Sequence, residues 1–144
     1  MDQRNFISTL ISQHLSLRAS LKIADEDARL SDQSKNEEIF SSLVKFKNDL
    51  LEHLKLENEI LYPDLLKKMR ARNQDTTNTE KFIAEMDDIG KVIMGFLEKY
   101  NSSELIASQL ADFQPQLRDI ITTLNLRIES EEEGVFQIYL AMTD

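Results

Sequence analysis

The sequence predicts an all-α protein built as an up-down-up-down four-helix bundle. Among its 144 residues, Gly and Pro are scarce, at 3 and 2, and helix-forming residues are abundant. Apolar residues recur at helical spacing along four long stretches that are joined by modest loops. Four such helices with short connections pack most simply as neighbours that alternate in direction. The length suits one core, so residues 1–144 are treated as a single domain.

The first two helices follow from their apolar stripes. Helix one is predicted from about Gln3 to Arg29, with His14 on its apolar face. Helix two is predicted from about Glu37 to Arg70. Because Pro63 has no amide hydrogen, a bend or a break is expected around Leu61 to Asp64.

The second half of the chain predicts two long helices with a short one between them. The third long helix begins at Thr77 and stops near Asn101, and a short helix follows from Ser102 to about Ala111. The fourth long helix is predicted from about Pro115 to Ala141, since proline is tolerated in a first turn. Its inward stripe is expected to include Val135 and Ile138.

Composition excludes several classes of function. The formal charge is −9, from 17 basic and 26 acidic residues, which argues against nucleic acid or an anionic membrane as a partner and leaves a protein partner open. Glu129, Glu132 and Glu133 are assigned to the solvated side of helix four. The absence of cysteine excludes disulfides and thiolate metal sites. The N-terminal residues lack a signal sequence, so a cytoplasmic location is expected.

The stretch LLEHLKLENEILYP places two polar residues on a buried stripe. His53 and Glu57 are four residues apart and therefore share one helical face. Burying either one without a partner costs a few kcal/mol, on the order of a lost hydrogen bond or more. The other three stripes carry exceptions at a comparable depth: His14, Met86, and the pair Arg127 and Glu131. Each of these residues taken singly has an ordinary explanation in core packing or in a surface pair, but they occur together.

With these motifs the chain resembles the hemerythrin-like family, also called the HHE cation-binding domain. SQHLSLRASL matches the family pattern at His14, and EHLKLENEILYPDL matches it at His53, Glu57 and the following LYP. The resemblance extends over about Asn5 to Tyr139. In this family, histidines hold two irons that carboxylates bridge. The resemblance implies that His14 and His53 serve one iron and that Glu57 and Glu131 are the bridging residues.

Two departures from the family pattern affect the second iron. In FIAEMDDIGKVI the histidine position is occupied by Met86, and in LRIESEEEGVFQIY it is occupied by Arg127. We therefore expect no di-iron centre and no reversible oxygen carriage. The guanidinium of Arg127 is expected to reach Glu131 and Glu57 and so to replace one metal. Met86 is expected to fill the space of the other lost histidine.

Two functional hypotheses remain at this point. The sequence favours a metal-free network, because a buried arginine repels a nearby cation, and hence a non-enzymatic binding or regulatory module with a degenerate site. The alternative is a sensor or an oxidoreductase-like protein that holds one iron or manganese ion and responds to oxygen, nitric oxide or peroxide. No other catalytic motif is present. The candidate ligands of that ion are His14, His53, Glu57 and Glu131.

Overall fold

The structure, a computed structural model, describes residues 2–30 and 33–142. Residues 31 and 32, which belong to the first predicted loop, lie outside the described residues. The first long helix is α1 (Gln3–Arg29), as predicted. The second consists of α2 (Asn36–Leu56), the five-residue π-helical segment π1 (Glu57–Leu61) and α3 (Tyr62–Ala71), and a 3₁₀ turn (Gln33–Lys35) precedes it.

The second half contains the remaining elements. The third long helix is α4 (Thr77–Lys99), and the short helix α5 (Ser103–Ser108) follows it. The fourth consists of α6 (Leu110–Ser130), the segment π2 (Glu131–Val135) and α7 (Phe136–Leu140). It begins earlier than predicted, so Pro115 lies inside α6 and not in its first turn.

The four long helices form a closed ring of neighbours. α1 packs on α2 and on α6, and α4 packs on the same two helices from the other side. This arrangement confirms the predicted all-α helical bundle, and the described residues include no strand. No helix in the described ranges has the length and apolar character needed to cross a membrane.

The interior of the bundle is divided into two apolar clusters. The first is built around Leu17, Leu50 and Ile128, and the second around Leu10 and Leu61. Along each of three long helices, the boundary between the two clusters falls at a buried polar residue. Those residues are His14, the pair His53 and Glu57, and Glu131. A polar layer therefore crosses the middle of the core.

The π-helical segment π2 changes which residues of the fourth helix face inward. The amide of Phe136 donates to the carbonyl of Glu131, five residues earlier, so the turn contains one residue more than an α-helical turn would. Beyond it, Phe136 and Tyr139 are fully buried, whereas Ile138 is 37 % exposed. The prediction that Ile138 faces inward is therefore wrong, because it assumed continuous α-helical spacing.

The segment π1 has the same effect in the second helix. The amide of Tyr62 donates to the carbonyl of Glu57, and Tyr62 is buried as a result. Pro63 is the second residue of α3, where its missing amide hydrogen is tolerated. Of the bend or break expected near Pro63, the break does not occur, because the helix changes type and continues to Ala71.

Substitution of Tyr139 and Ile138 by alanine tests this register. Tyr139→Ala should lower the free energy of unfolding by about 3 to 5 kcal/mol, because it empties a fully buried site. It also removes the hydroxyl that donates to Asp64. Ile138→Ala, the control, should cost less than about 1 kcal/mol, since that side chain is partly in solvent. Urea denaturation measures both, and a larger loss for Ile138→Ala would contradict the π-shifted register.

Candidate metal centre

His14 lies on the buried stripe of α1 and is 2 % exposed. Its Nδ1 lies 2.7 Å from Oε2 of Glu132, and its Nε2 lies 3.0 Å from Oε1 of Glu131. An ionised carboxylate accepts hydrogen bonds but donates none, so Glu132 favours a hydrogen on Nδ1 of His14. In a neutral ring, Nε2 then carries the free lone pair.

His53 occupies the equivalent place on α2 and is also 2 % exposed. Its Nδ1 lies 2.7 Å from the side-chain amide oxygen of Gln13, which accepts a hydrogen bond. Its Nε2 lies 3.1 Å from Nε2 of His14. With a hydrogen held on each Nδ1, two neutral rings direct their Nε2 lone pairs at the same place.

Two carboxylates face the histidines, each from the first residue of a π-helical segment. Glu57 begins π1 and Glu131 begins π2, and such segments are frequent at functional sites. Glu131 is held by the Tyr62 hydroxyl, which donates to its Oε2 at 2.7 Å. Glu57 is completely buried, and neither of its oxygens has a hydrogen-bond partner in the described chain. The nearest nitrogen is Nε2 of His53, 3.3 Å from Oε2.

The structure thus brings together the four residues that the sequence singled out as ligands. One nitrogen or oxygen atom from each lies within 4.8 Å of the atoms from the other three, and all four side chains are buried. They come from three different helices, so only the folded bundle assembles them. The four residues, named the cluster below, are His14, His53, Glu57 and Glu131.

The protonation equilibria of the cluster are strongly perturbed. Burial raises the pKa of Glu57 well above its usual value, and the neighbouring Glu131 raises it further. Burial alone would lower the pKa of His53, but its contacts with Glu131 and Glu57 outweigh this effect and raise the pKa to about 9. Burial would likewise raise the pKa of Glu131, yet its contacts with Glu57, the histidines and Tyr62 lower it. Without a metal, the cluster retains protons as its counter-charge.

Arg127 does not reach the two buried carboxylates. Its Nη2 donates to the carbonyl of Phe82 at 2.6 Å, and its Nη1 donates to Glu85 at 3.3 Å. The guanidinium carbon lies 3.8 Å from the centre of the Phe82 ring. The expectation that Arg127 bonds to Glu131 and Glu57 is therefore wrong. At the edge of the bundle the cation keeps partners and some contact with water, which avoids the cost of desolvating it in the core.

Met86 lies at the position where the family pattern has a histidine, and it is 7 % exposed. It lines a small cavity beside the cluster, together with Arg127, His14, His53 and Glu131. The volume of that cavity is about 10 Å³, enough for about one water molecule. Met86 therefore contributes to the core packing, but the space next to the cluster is not completely filled.

Three residues that sequence reasoning missed hold the cluster in place: Gln13, Tyr62 and Glu132. Glu132 was assigned to the solvated side of helix four, yet its side chain is only 31 % exposed and bonds to His14. For Tyr62, the aromatic residue in the LYP sequence was an available signal. Nothing in the sequence distinguishes Gln13 except its place beside His14.

Comparison with known families gives one match. The family model described as Hemerythrin HHE cation binding domain matches residues 5–139. The chain belongs to the hemerythrin HHE family. The resemblance inferred from the sequence is thereby confirmed over the expected span. The curated proteins and the solved structures give no match to the chain.

The donor set of this hemerythrin domain fits a cation on two counts. The completely buried carboxyl group of Glu57 has two oxygens without a hydrogen-bond partner, and a bound cation would take the place of the proton that its raised pKa retains. The Nε2 atoms of His14 and His53 are 3.1 Å apart, close to the roughly 3 Å that separates two nitrogens bound to one ion at about 2.1 Å each. Glu132 and Gln13 bond to Nδ1 of the two rings and so fix their orientation, as the hydrogen-bond partners of histidine ligands do in metal sites.

The stability of the metal-free domain should fall as the pH rises. The pKa of His53 is about 9 in the folded state and 6.5 in the unfolded state. The stabilisation from its protonation is thus complete below pH 6.5 and is lost as the pH passes 9. The raised pKa of Glu57 acts in the same direction. We expect a loss of about 3 kcal/mol.

Urea denaturation in the presence of a chelator measures this loss. It is carried out at a series of pH values between about 6 and about 9.5, which span the unfolded and folded pKa values of His53. His53→Gln removes the titrating imidazole and serves as the control, since its stability should change much less over the same range. A wild-type stability that is flat or rises across this window would contradict the described contacts of His53 with Glu57 and Glu131.

Proposed function

We propose that this hemerythrin domain binds a single divalent transition-metal ion, iron or manganese, and acts as a regulatory module that senses a small oxidant or gas molecule. The proposed ligands are the four residues of the cluster. This is the second of the two hypotheses that the sequence left open. The contacts of Arg127 now favour it over a metal-free network in which an arginine replaces one metal.

The observation that carries the proposal is the carboxylate of Glu57. It is 0 % exposed and has no hydrogen-bond partner among the described residues. In the metal-free alternative, Arg127 was to provide the counter-charge, but its guanidinium binds Phe82 and Glu85 instead. A divalent ion would neutralise Glu57 and Glu131 together and would accept the histidine lone pairs as well.

Support for a single ion comes from the other side of the cluster. The positions of the second pair of histidines carry Met86 and Arg127. A guanidinium cannot deprotonate in a protein and is therefore no ligand, and a thioether is a poor one for hard divalent ions. The described part of the chain offers no second group of three or more His, Cys, Asp or Glu side chains close enough to hold an ion.

Support for a sensing role comes from the ligand count and from the cavity. Two imidazoles with carboxylates are typical of non-haem iron sites that keep open positions. When bound, such an ion supplies an open coordination position for a small molecule. A cavity of about 10 Å³ lies beside the cluster, where such a molecule would bind, and Arg127 lines it. The Nε of Arg127 is buried and has no hydrogen-bond partner in the described chain.

Metal analysis with matched variants tests the proposal. Protein expressed with iron or manganese and then dialysed should contain one ion per chain, and His53→Ala should abolish binding. Glu132→Gln weakens the partner of His14 and should lower the affinity about 10- to 100-fold. Glu133→Gln is the matched control, since Glu133 is exposed and its neutralisation changes the net charge equally.

Isothermal titration of the chelator-treated proteins measures these affinities, and the ultraviolet-visible spectrum of the iron form reports the ligand set. A wild-type protein that takes up no metal above the level of His53→Ala would overturn the proposal. Two ions per chain would overturn the claim of a single site. Equal affinities for Glu132→Gln and Glu133→Gln would contradict the role of Glu132 as an orienting partner.

A further inference from the structure

A second and larger cavity lies on the surface close to the cluster. It is a groove of about 340 Å³ between the second and third long helices. Apolar side chains and two glycines form much of its wall, and charged residues stand at its rim. The lining includes Leu54, Asn58, Met86, Gly90, Met94 and Glu98.

Met86 connects this groove to the interior. Of the residues that line the groove, Met86 is the one that also lines the small cavity beside His14, His53 and Glu131. The remaining wall residues of the two cavities differ throughout the described chain. One side chain therefore forms part of the wall of both the solvent-open groove and the cavity beside the cluster.

A methionine at this boundary has the properties of a movable barrier. Its side chain is unbranched, with three rotatable bonds, and it adapts to irregular spaces more readily than other apolar side chains. Met86 faces the open groove on one side, so it has space into which it can rotate. A histidine that ligated a metal would be fixed in place, and a branched aliphatic residue would have fewer rotamers.

We propose that Met86 is the gate through which small uncharged molecules pass between the surface groove and the metal cluster, and that its rotation limits their rate of entry. The inference rests on the proposed metal site. The inner cavity, of about 10 Å³, is at the lower limit for one water molecule, so only the smallest molecules can enter it. The groove rim carries Asp87, Lys91 and Glu98. With two acidic groups and one basic group there, neutral molecules are favoured over anions.

Nitric oxide is the probe for the test, since it is small, uncharged and changes the spectrum of a ferrous site. Stopped-flow mixing with the iron(II) protein under anaerobic conditions gives the association rate, and displacement gives the dissociation rate. Met86→Ala should raise both rates about tenfold, because no packed side chain has to leave its rotamer. The equilibrium affinity should stay unchanged, since a gate alters the two rates equally.

Two further variants separate gating from other effects. Gly90→Leu places a side chain in the groove and leaves Met86 intact, so both rates should fall. A Cβ at Gly90 is accommodated, because the nearest heavy atom that it would meet is Leu54 Cδ1, at 3.7 Å. Met94→Ala is the matched control, since Met94 lines the groove but not the inner cavity, and its rates should stay within about twofold of wild type.

The outcomes distinguish this inference from the proposed function. Wild-type protein without bound iron overturns both. If wild type, Met86→Ala and Gly90→Leu all bind iron and show the same association and dissociation rates for nitric oxide, the gate alone is overturned. A change in affinity at constant association rate also overturns it, because it would mean that Met86 acts on the metal site directly. If Met86→Ala fails to fold, the other two variants decide the question. The gate then requires that Gly90→Leu binds nitric oxide more slowly than Met94→Ala, and equal rates overturn it.

Discussion

The polar layer at the centre of the bundle is the constraint on which the rest of the structure depends. Four ionisable side chains are buried between two apolar clusters, where each charge lacks the solvation that water would provide. A buried and unpaired charge costs several kcal/mol, so the layer requires compensating protons, hydrogen bonds or a cation. Glu131 has hydrogen-bond partners, whereas Glu57 has none among the described residues and, with its raised pKa, retains a proton instead. The other side chains of the site are thus held in place around a carboxyl group that lacks a hydrogen-bond partner.

The asymmetry of the cluster explains why one ion, and not two, is the expected occupant. On one side, Gln13 and Glu132 orient two imidazoles, and Tyr62 holds a carboxylate. On the other side, Arg127 turns away to Phe82 and Glu85. Arg127 is no metal ligand, and its guanidinium forms no hydrogen bond with the buried carboxylates among the described residues. The space that remains beside the cluster suits a small molecule.

Sequence periodicity was sufficient for the fold class and for the cluster, because His14, His53, Glu57 and Glu131 all lie on stripes of α-helical spacing. It was insufficient beyond each glutamate, where a π-helical turn adds one residue and shifts the buried face. That shift is why Ile138 was wrongly placed. The direction of Arg127 was also beyond the sequence, since it depends on a carbonyl, a carboxylate and a ring that α4 presents only in the folded bundle.

Anomalous diffraction from crystals grown with Mn²⁺ tests the central claim most directly, since the signal locates the ion independently of the protein atoms. One peak per chain is expected, adjacent to Nε2 of His14, Nε2 of His53 and the carboxylates of Glu57 and Glu131. The guanidinium of Arg127 should keep its contacts with the carbonyl and the ring of Phe82. The absence of a peak at this place, together with an Arg127 side chain turned onto the buried carboxylates, would contradict the account.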